Sequence, residues 1–145
     1  MDLPWGDERT KQFITNVGLI TSTGPHGNNI MAAEWTHHIS YSPGLIAVCI
    51  RPSDASYENI HATKEFGVNI AATDQATLAS VAGGSTGREV DKIAALKELG
   101  FTFSKAKQIK SLMVEGAVLI IECKVVKEIS LGDHILFVGG CSTQP

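Results

Sequence analysis

The stretch VGLITSTGPHGNNIMAAEWTHHISYSPGLIAVCI, residues 17–50, decides the fold. Residues 17–23 form a β-branched run that ends in Gly24-Pro25-His26-Gly27-Asn28-Asn29, a dense turn signal. Extended structure resumes over 30–40, and Ser42-Pro43-Gly44 marks a second turn. Residues 45–50 are continuously apolar, as in a strand buried on both faces. Strands joined by connections this short pair as antiparallel neighbours.

Working outward, the period changes after Arg51-Pro52. Ser53 or Asp54 caps a helix that reaches Lys64, and 66–70 is a further strand. Thr73-Asp74 opens a helix through Val81, and 83–87 is a glycine-rich loop. Residues 89–99 carry an apolar stripe of Val90, Ile93, Ala94, Leu96 and Leu99, with Gly100 as the stop. From Ala117 to Val126 alternate residues share a face, giving a long half-buried strand. The turn 130–133 leads into a closing strand at 134–138, and upstream 7–16 reads as a short helix with Phe13 and Ile14 inward. The expected class is mainly β, a partly closed antiparallel β-barrel with α-helical insertions, in one domain over 1–145.

Composition narrows the function. Lys plus Arg is 12 against 15 for Asp plus Glu, a net charge of −3, and 43% of residues are hydrophobic. That excludes a disordered chain and lacks the basic face of a nucleic-acid binder. The longest apolar stretch, 116–121, is too short to span a bilayer, and the acidic start lacks the basic region of a secretory leader. Cys49, Cys123 and Cys141 form no CxxC and are expected as buried free thiols, consistent with a cytoplasmic protein. His37 and His38 are adjacent in a strand, point to opposite faces and cannot chelate one metal together. No P-loop, HExxH or GxSxG is present. Neither a metal site nor a catalytic acid or base is expected.

Four clusters gather polar groups at element ends. Asn28-Asn29 precede Glu34-Trp35-Thr36-His37-His38, where Trp35 serves equally as a core plug or as a wall beside a planar ligand. Arg51, Ser53 and Ser56 stand where a strand yields to a helix, a setting that suits a phosphate. Asp54 opposes an anion there, and a plain helix cap with a solvated Arg explains the same residues. The run Gly83-Gly84-Ser85-Thr86-Gly87-Arg88 precedes Asp91-Lys92, with Arg88 and Lys92 expected on one helix face. Gly132-Asp133-His134 delivers one histidine to the start of a strand.

In this order and spacing, NIMAAEWT at 29–36, ISYSP at 39–43, SYENI at 56–60, EFGVNI at 65–70, STGREVDK at 85–92, IECKV at 121–125 and GDH at 132–134 resemble one family. It is the flavin reductase-like family of FMN-binding split barrels, the group that includes flavoredoxin. The resemblance covers residues 17–139. It implies a split barrel that forms a homodimer with FMN near the interface. By position it places Asn29 and Trp35 by the flavin and Thr36, His37 and His38 along the ring. Arg51, Ser53 and Ser56 would meet the phosphate, with Ser85, Arg88, Lys92 and His134 as further contacts. The implied function is electron transfer from NADH or NADPH through FMN to free flavin, a ferric complex or a redox protein partner. The alternative is an FMN-binding electron carrier without NAD(P)H oxidation of its own. No nucleic-acid or membrane partner is implied. Ile93 stands where the family usually has Phe. The chain also stops at 141–145, where family members usually carry a further C-terminal segment over the flavin. A more open site, or one completed by the partner subunit, is the corresponding expectation.

Overall fold

The computed structural model describes residues 2–4, 6–13 and 16–143, the last two by backbone alone. In chain order the elements are β1 (Gly18–Ser22), β2 (Asn29–Ala33), β3 (Thr36–Tyr41), β4 (Gly44–Ile50), α1 (Ala55–Thr63), β5 (Glu65–Ile70), α2 (Ala76–Gly84), α3 (Lys92–Glu98), β6 (Phe103–Lys105), β7 (Leu112–Val114), β8 (Leu119–Leu131) and β9 (His134–Thr143). Seven strands make one sheet in the order β2-β1-β5-β8-β9-β4-β3. Every neighbouring pair in it is antiparallel.

The segment expected to be extended over 30–40 breaks at Glu34-Trp35, and its halves form the two opposite edges of the sheet. Laid flat, seven strands would hold those edges roughly 29 Å apart. The chain from Ala33 to Thr36 spans at most about 11 Å. The sheet therefore curls until its edges approach. A Cβ on Gly18 of β1 would lie 2.7 Å from Thr36 Oγ1 at the start of β3. The mainly β barrel with helical insertions follows from this closure.

β1 is buried along its whole length because it separates two cores. Ile20 joins Val48, Ile50, Phe66, Val68 and Phe137 inside the barrel, with Ile60 of α1. Leu19 joins Ile30, Leu78, Ala82, Ile93, Leu96 and Val114, where α2 and α3 pack outside.

Local chemistry shifts several boundaries. Residues 7–16 do not form one helix. A 3-10 turn covers Thr10–Gln12, and Phe13 is 72% exposed rather than inward. Ile14 lies outside the described residues. α2 continues through Gly83 and Gly84, which were expected in a loop. α3 starts at Lys92 because the Asp91 carboxylate accepts the Ala94 N–H at 3.0 Å. Val90 and Leu99 are consequently exposed instead of lying in the stripe. β9 runs past Val138 to Thr143, and the β6–β7 hairpin is an addition. Glu122 of β8, on the face expected to turn polar, is buried. Its carboxylate accepts the N–H groups of Lys107 and Ile109 at 3.0 and 3.1 Å.

Candidate functional site

Three adjoining hollows run along β2 and the N-terminal end of α1. The first, of about 230 Å³, is lined by Met31, Trp35, Cys49, Arg51, Asp54 and His134 among others. The second, of about 100 Å³, shares Met31 and Asp54 and adds Asn29, Ser56, Ser85, Thr86 and Lys92. The third, of about 410 Å³, shares Asn29 and Gly87 with the second and adds His26, Arg88, Asp91 and Lys97.

The β2–β3 break creates the first hollow. It places Trp35 at the rim, and the Trp35 carbonyl accepts the Cys49 N–H at 3.0 Å, which pins the break to β4. The Trp35 and His134 rings lie 4.4 Å apart between centroids at 45°. His134 Nδ1 is 2.6 Å from Asp133 Oδ1. That hydrogen bond, more than the nearby Arg51 charge, holds the Asp133 carboxyl below the usual range.

The second hollow is built from small groups. Asn29 Nδ2 donates to Ser56 Oγ at 3.0 Å, and both residues are buried. Ser56 sits in the first turn of α1. Gly87 passes so close that a Cβ there would lie 2.4 Å from Asn29 Oδ1. Lys92 is only 3% exposed, and its ammonium donates to the Ala82 carbonyl at 2.9 Å. Burial pushes the Lys92 pKa down, and Asp54 partly opposes this.

The third hollow is walled by a charge relay. Arg88 donates to Glu58 Oε1 and, through Nε, to the Ser53 carbonyl at 2.6 Å. Glu58 Oε2 lies 2.6 Å from His26 Nε2. The same turn is held by Asn59, which accepts the His26 N–H and donates to the Gly27 carbonyl, both at 2.9 Å. Hydrogen bonds from Arg88 first and His26 second lower the Glu58 pKa. A carboxylate lowered by folding stabilises the fold above its ordinary range and loses that contribution as pH falls through the lowered value. The Tm advantage of the natural chain over Glu58→Gln should be full above the ordinary glutamate range, about pH 5, and should shrink as the pH falls below that range. Thermal melts above and below that range check it.

The residues singled out in the sequence are partly brought together. Trp35, Arg51 and His134 share the first hollow, Asn29, Ser56, Ser85 and Lys92 the second, and Arg88 lines the third. Arg88 and Lys92 do not share a helix face. Arg88 lies in the turn before α3, while Lys92 is buried in its first turn. Ser53 is exposed and contributes its carbonyl to Arg88. Thr36 is buried, with Oγ1 donating to the Ala33 carbonyl at 2.9 Å. Thr36 and His38 line a separate hollow of about 800 Å³ with Val17, Tyr41, Ile70 and Leu119. His37 is exposed and lines none of these four hollows. Thr86 and Met31 are lining residues that reasoning from sequence passed over, although both stand inside runs it quoted. Their signal was small or flexible side chains beside Ser85 and Asn29.

Residues 10–141 match the family model of the flavin reductase like domain. A protein of Archaeoglobus fulgidus is 33% identical over 121 residues, 83% of this chain and 66% of that protein. The FMN reductase (NADH) RutF of Ancylobacter novellus is 30% identical over 122 residues, 83% of this chain and 64% of that protein. The chain thus spans just under two thirds of the length of these curated relatives. Among solved structures it is similar to flavoredoxin of Desulfovibrio vulgaris (Miyazaki F), with a TM-score of 0.81 and 26% identity over 99% of this chain and 77% of that one. Sequence model and fold agree, and the chain belongs to the flavin reductase-like family.

Proposed function

We propose that this chain is a flavin reductase that binds FMN along β2 and moves electrons from NADH, or NADPH, to an acceptor. The observation that carries this reading is the junction of two unlike hollows. One has hydroxyls, the start of a nine-residue helix and a buried cation. The other has an aromatic wall of Trp35 and His134. That donor set fits a phosphate monoester joined to a planar ring.

When bound, FMN supplies hydride acceptance and electron release. The chain's own residues bind and orient. Ser56, Ser85, Thr86 and Lys92 hold the phosphate, and Asn29 fixes the Ser56 hydroxyl. Trp35 and His134 wall the ring, with Arg51 at its edge. This moves Arg51 from the phosphate, where the resemblance put it, to the ring, and gives Lys92, until now an unspecified further contact, to the phosphate. The curated relative named as an NADH-dependent FMN reductase favours reductase over carrier and NADH over NADPH. Free flavin, a ferric complex or a redox protein partner are the proposed acceptors.

The partner in assembly is a second copy of the chain. The separate hollow of about 800 Å³ is ringed by apolar groups, including Tyr41 at 91% exposure. Trp35 lines the flavin cleft and its neighbour Thr36 lines this face, so a homodimer here sets FMN near the interface. Three free cysteines suit a reducing compartment, which supports a cytoplasmic location as part of this proposal. Among the described residues no helix is long and apolar enough to cross a membrane. The test is NADH and NADPH oxidation by the purified FMN complex with each acceptor class. Turnover is expected; a yellow complex inert with all of them would return the reading to a carrier. Sedimentation should show a dimer that Tyr41→Asp weakens.

A further inference from the structure

β8 and β9 bring two of the three cysteines face to face. Cys123 and Cys141 are register partners across the antiparallel pair. Their sulfurs lie 3.7 Å apart, with the Cys123 thiol donating to Cys141 Sγ. Facing residues in such a pair have Cα atoms about 4.5–5.5 Å apart, inside the range of about 4.4–6.8 Å that a disulfide spans. Rotation of the side chains therefore suffices to bond the sulfurs, and neither strand needs to slide.

The two thiols differ in access. Cys123 is fully buried, whereas Cys141 is half-buried and lines the hollow of about 800 Å³, which is open to a small disulfide in the single protomer and covered once the proposed dimer forms. Cys49 lies elsewhere, in the hollow beside Trp35.

We propose that Cys123 and Cys141 form a thiol–disulfide site whose oxidising substrates are small disulfides of the glutathione disulfide class. Cys141 is the attacking sulfur. Its thiolate bonds one sulfur of the small disulfide and expels the other half as a thiolate, which takes the Cys141 proton. Cys123 then attacks the Cys141 sulfur, displaces the second half and gives up its own proton to it. Two protein thiols are oxidised to one disulfide, and one small disulfide is reduced to two thiols. The hydrogen bond from Cys123 pulls the Cys141 pKa down, while that pairing and burial push Cys123 up, in keeping with the order of attack.

The test uses the full chain, reduced and then incubated with excess glutathione disulfide. Free thiols should fall from three to one. The intact mass should drop by two hydrogens, and a peptide map should join Cys123 to Cys141. Dithiothreitol should reverse the change, and in Cys49→Ser free thiols should fall from two to none with the same bridge. Cys123→Ala should stop at a stable glutathionyl adduct on Cys141, and Cys141→Ser should form neither bridge nor adduct at position 123. Circular dichroism checks that each variant is folded, with the spectrum of the natural chain as the expected result. Three thiols remaining in the natural chain, a bridge through Cys49, or a lasting adduct without a bridge would overturn the proposal.

Discussion

Lys92→Met is expected to weaken FMN binding by about 10- to 100-fold while changing riboflavin affinity by less than about threefold. The two ligands differ by the phosphate, which carries close to two negative charges near pH 7. Lys92 is 3% exposed and lines the hollow shared by Ser56, Ser85 and Thr86, so its charge acts there with little screening by solvent. One of its three N–H donors goes to the Ala82 carbonyl, which orients the ammonium. Asp54 lines the same hollow. Removing Lys92 leaves that carboxylate as the charge facing the ligand, which adds to the loss. Methionine keeps the apolar stem, so packing beside Ala82 changes little. The lowered pKa of Lys92 adds a second signature. Affinity for FMN should fall on the alkaline side earlier than an ordinary lysine would allow, and riboflavin affinity should not follow. Titration by flavin fluorescence measures both. Equal losses for the two ligands would move the phosphate away from Lys92.

The parts of the fold legible in the sequence are those set by nearby residues. β1, β4, β5 and α1 follow from β-branched runs, turn residues and a helix start, and the structure keeps them within a residue or two. The break at Glu34-Trp35 was not legible, because AAEWTHH contains no glycine or proline. It is imposed by curling, which makes one continuous segment serve two sheet edges. The start of α3 was misplaced because the Asp91 cap competes with a good helical pattern from Glu89. The site divides in the same way. The proximity of Asn29, Ser56 and Ser85 was foreshadowed by their small polar surroundings. Which cation joins them was not, since Arg51 is nearer in sequence to Ser56 than Lys92 is. Only the packing of α3 against α2 decides between them.

Phe66→Ala is expected to cost about 3–5 kcal/mol, lowering Tm by roughly 10–15 °C. Phe66 is fully buried on β5, in register with Cys123 of β8. Its ring reaches across to β9, where a Cβ on Gly139 would lie 2.6 Å from the ring Cζ and 2.7 Å from Cys123 Cβ. The bare backbone of Gly139 is therefore the floor of the ring's seat, and the barrel wall is thinned there to admit an aromatic group. Gly139→Ala should cost about 1–3 kcal/mol by overpacking. The two substitutions share one volume, so they should not add. In the double variant the new methyl group occupies part of the space that the ring leaves. Its contact with Cys123 Cβ persists, so compensation is partial. Urea denaturation of the four proteins should give a double-variant loss smaller than the sum by about 1 kcal/mol or more. Strict additivity would mean that the ring does not rest on Gly139, and that β9 does not share the seat of Phe66.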